Sequence, residues 1–348
     1  MDAPGSSGEA HEGMRRRNGV AVGPGGRYQL GRNLNEGHFG KVMLAYDNEK
    51  NQYVAIKFIP RGPQVTQYVE REILNHRTLC QTHIIAFKEV FVTDLHLCIV
   101  MEYAAGGDMH QYILRHKCLP EQCARWFFQQ LMIAIEYCHL RHVVNRDIKL
   151  ENILLDREER LLKVCDFGFS KGSNDSEPNT CVGTPSYLAP EVLRNPLNQK
   201  CYNGKRVDIW TCGVCLFVML YGYYPFDDPY DNSPNKTKKM LARIARGVVA
   251  IPEQQYRPMG DHRQPVPISE DCRDLLAGIL ESNPSRRMTM DQIMRHPWFQ
   301  RDLPEGALKY NEGVEQIDED LIARIRGLQS VEEVKAIVNY ARAGGEAR

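Results

Sequence analysis

The chain has 348 residues, 43% hydrophobic and 25% charged, and its 44 Lys and Arg balance 44 Asp and Glu. That length is long for one hydrophobic core and comfortable for two lobes, and the composition is that of an ordinary globular protein. A formal charge near zero argues against broad capture of nucleic acid or an anionic membrane, so neither is expected as a partner.

Residues 1–27 are rich in Gly, Ser and charge and poor in large hydrophobes, which predicts a disordered tail with a small basic cluster at Arg15, Arg16 and Arg17. The opening MDAPGSSGEAHEGM lacks the apolar segment of a signal peptide, and Asp2 stands where myristoylation requires glycine. The 11 Cys are odd in number and follow no framework spacing, which predicts reduced thiols and a place in the cytoplasm, the nucleus or both. Cys212 and Cys215 form a C-x-x-C, but WTCGVCLFVML reads as a buried helix and no second ligand pair follows. Packing is therefore expected of them in preference to redox or metal chemistry.

From Tyr28 the texture changes. KVMLAYD and QYVAIKFIP read as strands around the turn-like DNEKN. QYVEREILNHRTL has helical spacing, with Val69, Ile73 and Leu74 near one face, and HLCIVMEYA reads as a further strand. After Gly106, Gly107 and Asp108 helix dominates, in MHQYILRHKCL, EQCARWFFQQLMIAIEYCHLRHV, VDIWTCGVCLFVMLYG and SEDCRDLLAGIL, the last with Ser269 as N-cap. PFDDPYDNSPNKTKK reads as a loop ahead of another helix. The fold class is α+β, with a small strand-rich segment giving way to a large helical one near residue 104.

Four stretches suit phosphate chemistry. LNEGHFGKV is a Gly-rich hairpin whose backbone N–H groups can approach phosphate oxygens. Its Gly37, Gly40 and Val42 match the later positions of G-x-G-x-x-G-x-V, with Asn35 in place of the first glycine. In VAIK, Lys57 offers a strand-borne positive charge and needs a carboxylate to hold it; Glu72 and Glu70 on the following helix both qualify by periodicity. In NRDIKLEN, Asp147 can orient a hydroxyl and take its proton, Lys149 can offset charge on a moving phosphoryl group, and Asn152 can hold a metal ion. Asp166 in DFG adds a carboxylate for Mg2+.

In their order, LNEGHFGKV, VAIK, NRDIKLEN, DFG, LAPE and VDIWTCGV resemble the eukaryotic protein kinases over about residues 28–299. The resemblance implies a bilobal kinase fold, with a β-rich N-lobe over 28–104 holding one main helix, a mostly helical C-lobe over 105–299, and ATP and Mg2+ as cofactors. It implies Leu34, Gly37, Gly40, Val42, Ala55, Lys57, Met101, Glu102, Ala104, Asp108 and Leu154 as nucleotide-binding residues. It also implies Glu72 as the partner of Lys57, Asn152 and Asp166 as metal ligands, and a structural pairing of Glu191 with Arg287.

EREILNHRTL, IVMEYAAGGDM, KLENILLD, VCDFGFSK, VGTPSYLAPEV and GYYPFDDP are similar to the second, osmotic-stress subfamily of the plant and green-algal sucrose-non-fermenting-related kinases. By the same resemblance residues 300–348 are a regulatory extension in which 329–343 forms a lobe-packing helix. Val331, Val334, Ile337 and Val338 recur there at helical spacing; a generic terminal helix is the plainer alternative. The long acidic region through which hormone-responsive members bind type 2C phosphatases has no match. An osmotic- or nutrient-stress role is therefore expected over direct hormone coupling, with a protein phosphatase kept among the partners.

TPSYLAPE and Lys149 resemble serine/threonine rather than tyrosine kinases. The implied substrates are proteins with basic residues upstream of Ser or Thr, read by Glu151 and acidic groups near Asp108, and the protein is expected to act as a monomer. Thr180 aligns with the family's regulatory serine, which implies an upstream activating kinase. Phosphate there adds roughly −1.5 to −2 charge, with Arg146 as its receiver. Asn145 stands where the family has His or Tyr packed beside the DFG phenylalanine, here Phe167. Asparagine brings less apolar contact and an amide in need of partners, so a weakened active state with intact chemical groups is expected. The competing expectation is a catalytically weak scaffold, resting on Asn35 and Asn145.

Overall fold

The computed structural model describes residues 20–37, 40–167, 171–172, 185–194, 202–228, 231–247, 249–259 and 262–344. Internal packing divides the chain into two units, one of residues 1–66, 88–103 and 332–348, the other of 67–87 and 104–331.

In the first unit, β1 (Ala21–Val22), β2 (Tyr28–Gly37), β3 (Gly40–Asp47), β4 (Gln52–Pro60), β5 (Phe87–Val92) and β6 (His96–Glu102) form one sheet in the order β1-β2-β3-β4-β6-β5. The period-2 alternation of QYVAIKFIP sets its faces: Val54, Ile56 and Phe58 enter a core with Tyr28, Ala45, Phe91, Cys98 and Val100. Residues 20–27 are ordered although they fall in the stretch expected to be a disordered tail, so that reading is corrected for them. Ala21 and Val22 pair with Gln29 and Tyr28, and Arg27 closes on Asp47 at 2.6 Å. The Gly- and Pro-rich composition hid this because the partners that hold it, Asp47 and the Phe91 ring stacked on Tyr28, lie far along the chain.

The second unit begins with α1 (Gln67–Thr78), which buries Ile73, His76 and Arg77 and half-buries Val69 and Leu74. β7 (Gly107–Asp108) leads into α2 (Met109–His116), where the Asp108 side chain caps the helix by accepting from the Gln111 N–H. α3 (Glu121–Leu140), β8 (Val143–Val144), β9 (Ile153–Leu155), β10 (Leu162–Val164), β11 (Lys171–Gly172), α4 (Pro190–Arg194) and α5 (Gly204–Tyr221) follow. α3 and α5 are buried along most of their lengths, and their Phe128, Leu131, Trp210 and Phe217 form part of the core.

Beyond them lie α6 (Lys236–Arg246), the hairpin β12 (Gln254–Met259) and β13 (His262–Pro267), α7 (Glu270–Ile279), α8 (Met290–Arg295), α9 (Pro297–Gln300) and α10 (Glu319–Arg326). Ser269 caps α7 by accepting from the Cys272 N–H. Two boundaries differ from the sequence reading. The residues KTKK belong to α6, not to the loop before it, because Met240 and Ile244 one turn apart anchor a helix whose first turn carries no apolar residue. The hairpin over 254–267 has no sequence expectation behind it, since its prolines argue against strand.

Cys212 and Cys215 are wholly buried on α5, where burial pushes both thiols far above the ordinary range. Among the described residues no cluster of His, Cys, Asp and Glu could hold a metal, and no helix is long and apolar enough to cross a membrane.

α10 is tied down by Arg326, which donates to the carbonyl of Phe87 at 2.8 Å, and Arg77 donates to the Gln329 carbonyl at 2.6 Å. The last helix, α11 (Val331–Arg342), returns to the first unit and buries Val334, Val338 and Ala341. There the Gly62 N–H donates to the Ala341 carbonyl at 3.0 Å, Arg342 donates to Val65 at 2.9 Å, and Arg61 lies 4.6 Å over the Tyr340 ring.

Candidate active site

Between β8 and β9 the chain forms only a short 3-10 helix over Leu150–Asn152, and the loop ahead of it is shaped by buried polar groups. Asp208, on the first turns of α5, is fully buried. Its carboxylate accepts from the backbone N–H of Asn145 (3.0 Å), from that of Arg146 (2.9 Å) and from His139 Nε2 (2.8 Å). A buried carboxylate needs such donors, and here they fix the backbone of the loop. Arg146 is thereby held at φ 67; 20 residues on, Asp166 has φ 62, and both are left-handed values that residues other than glycine rarely take.

Asp147 follows at 6% exposure. Lys149 Nζ lies 2.6 Å from its Oδ2, and Asn152 Nδ2 donates to the same oxygen at 2.9 Å and to the Asp147 carbonyl at 3.0 Å. Burial raises the Asp147 carboxyl above its ordinary value, while Lys149 and Asn152 pull the other way. With Nδ2 committed, Asn152 has Oδ1 left for a cation. The hairpin of β9 and β10 carries the chain from Asn152 to Asp166, and the Cys165 N–H closes it on the Asn152 carbonyl at 2.9 Å. An amide oxygen and a carboxylate are hard donors of the kind Mg2+ takes from proteins, alongside its waters.

The amide of Asn145 finds partners on both sides. At 1% exposure, its Oδ1 accepts from the Asp147 N–H at 3.1 Å and its Nδ2 donates to the Asp166 carbonyl at 3.1 Å. The Phe167 ring is buried with its centroid 5.1 Å from the ring of His76, whose Nε2 lies 2.6 Å from the Ile85 carbonyl.

Further out, Arg287 meets both oxygens of Glu191 at 2.7 and 2.9 Å. Arg146 places its guanidinium 5.9 Å from the Tyr202 ring centroid, and its buried Nε has no hydrogen-bond partner among the described residues. Thr180 lies outside the described residues. Asp108 pairs across strands with Leu154; Glu70 and Glu72 are both half-buried on α1, and Ala104 is half-buried.

The first unit presents its own set. Val42 lies opposite Lys57 on neighbouring strands, and Ala55 opposite Met101, so all four share the sheet face turned away from the core of that unit. Glu102 ends β6, opposite Val54, and Leu34 lies in β2. Asn35 pairs with Val42 beside a register shift in β2 and is absent from the positive-φ residues, so its replacement of glycine carries no left-handed strain. Gly40 is different: at φ 117, a Cβ there would come within 2.1 Å of the Phe58 carbonyl oxygen.

Sequence reading gave no role to Asp208, His139, His76 or Tyr187. Tyr187 accepts from the Leu150 N–H at 3.1 Å and reaches Glu151 at 3.3 Å. One signal was available, since Asp208 is the lone acid of a helix that is largely apolar beyond its first turn.

The family described as "Protein kinase domain" matches residues 28–299. The chain is 44% identical to the serine/threonine-protein kinase SAPK7 of Oryza sativa subsp. japonica, over 91% of this chain and 84% of the relative. It is likewise 44% identical to SAPK1 of the same plant, over 92% and 88%, and 42% identical to the serine/threonine-protein kinase SRK2C of Arabidopsis thaliana, over 91% and 85%. With that extent of likeness spanning the kinase domain and the stretch beyond it, the chain belongs to the protein kinases and, among them, to the second, osmotic-stress subfamily of the sucrose-non-fermenting-related serine/threonine kinases.

Proposed function

We propose that this kinase transfers the γ-phosphoryl group of ATP to Ser and Thr hydroxyls of proteins with basic residues upstream of the acceptor, as part of a response to osmotic or nutrient stress. The observation that carries the reading is the buried trio of Asp147, Lys149 and Asn152, joined by contacts of 2.6–3.0 Å.

In this reading Asp147 orients the acceptor hydroxyl and takes its proton as the new O–P bond forms and the bond from Pγ to the bridging oxygen of ADP breaks. Lys149 offsets charge on the phosphoryl group in flight. Asn152 and Asp166 hold Mg2+, which when bound neutralises phosphate charge. From the first unit, Lys57 serves the α- and β-phosphates, the backbone of Gly37 and Gly40 the phosphates, and Leu34, Val42, Ala55, Met101 and Glu102 the base. By the family resemblance, Glu72 is the carboxylate for Lys57, Leu154 and Ala104 are adenine contacts, and Asp108 is the ribose contact. Glu151 reads the basic residues of the substrate.

Phosphorylation of Thr180 by an upstream kinase is the switch, with Arg146 as receiver; its buried Nε, without a partner among the described residues, supports that role. A protein phosphatase reverses it, and the kinase works as a monomer in the cytoplasm, the nucleus or both. The test is phosphate transfer from labelled ATP–Mg2+ to an Arg-containing serine peptide, by wild type and D147A, before and after treatment with an active upstream kinase. Transfer by wild type alone, raised by pretreatment and not in T180A, is the expected result. A folded wild type, phosphorylated at Thr180 and still inactive, would establish the scaffold reading instead.

A further inference from the structure

We infer that the carboxamide of Asn145 is a positioning clasp that sets the general base Asp147 against the metal-binding residue Asp166. One buried side chain spans from the N–H of Asp147 to the carbonyl of Asp166, at 3.1 Å to each. Both backbone segments it grips are held in the left-handed region, Arg146 at φ 67 and Asp166 at φ 62. A local hydrogen bond donated to an Asn side-chain oxygen by the N–H two residues on is what stabilises a turn of this kind. The second bond then joins that turn to a segment 21 residues away.

Both Asn145 amide atoms face polar partners, so the residue's hydrogen bonds join the two segments whatever its apolar atoms touch. A side chain with one donor and one acceptor is required, and an apolar side chain of equal size supplies neither. Asn145 touches no reacting atom in this scheme. It acts through Asp147 and Asp166, and so governs kcat and the Mg2+ requirement rather than peptide affinity.

The inference rests on the kinase reading, and its test separates the two. Wild type, N145L, N145H and D147A are compared for kcat, peptide KM, the Mg2+ concentration needed for half-activity, melting profile and hydrogen exchange at the Asp147 amide. For N145L the expected loss in kcat is about 10–100-fold, the scale of a misplacement near the chemistry, with more Mg2+ required, peptide KM unchanged and faster Asp147 exchange. N145H, which keeps a ring donor and acceptor, retains most of the activity. A folded N145L as active as wild type overturns the inference, because it would show that position 145 needs only apolar volume. Should N145L not fold, N145D keeps the acceptor for Asp147 and removes the donor to Asp166. Wild-type kcat and Mg2+ dependence in N145D overturn the clasp equally. If wild type itself transfers no phosphate, the kinase reading fails, and the exchange rate at Asp147 decides the clasp alone.

Discussion

Arg287 forks onto Glu191, with Nη1 to Oε1 at 2.7 Å and Nη2 to Oε2 at 2.9 Å, and its side chain is wholly out of solvent. The same guanidinium donates to the carbonyls of Glu281 and Arg206 and lies 5.0 Å from the Trp210 ring centroid. Removing one partner of such a buried pair strands a charge, at a cost of about 3–5 kcal/mol. R287A is expected to lose that much in denaturant unfolding. R287K is expected to lose most of it as well, because a single ammonium cannot reproduce the fork. Wild-type unfolding of R287A would show that the pair is energetically idle.

The raised Asp147 carboxyl gives a pH test. Burial is its cause, and the Lys149 contact is the largest opposing influence. The ionised form is the one that accepts a proton, so activity falls as pH drops through the Asp147 pKa, above the ordinary aspartate value of about 3.9. K149M removes a group that favours the charged form. The acid limb of kcat/KM should therefore move to higher pH, besides any fall in its plateau. A limb that moves the other way would show that Lys149 does not hold Asp147 ionised.

The C-terminal helix α11 is part of the first unit, with Val334 and Val338 both at 0% exposure. Each buried valine contributes about 1.5–3 kcal/mol relative to exposure. V338D places a charge in that apolar seat and should release the helix. Hydrogen exchange across 331–342 should accelerate, and the Gly62 N–H, which donates to Ala341 at 3.0 Å, should lose protection with it. Protection that survives the substitution would mean the helix is held by its polar ties alone, those of Arg342 and Arg61.

By itself the sequence determined the elements whose signal is local and the chemical groups on offer. The alternation of QYVAIKFIP, the apolar runs of α3 and α5 and the spacing of Asp147, Lys149, Asn152 and Asp166 all lie within short windows. Tertiary structure decided whatever depends on a partner far along the chain. The sequence shows that Asn145 brings an amide into a buried loop, but not that Asp166, 21 residues away, accepts from it. Nor does it show that Asp208, 63 residues beyond Asn145, holds the backbone there, or that Asp47 anchors Arg27 and orders a stretch whose composition reads as tail. A buried polar group must be satisfied, and that requirement is legible in a sequence; which distant atom satisfies it is settled only when the chain folds.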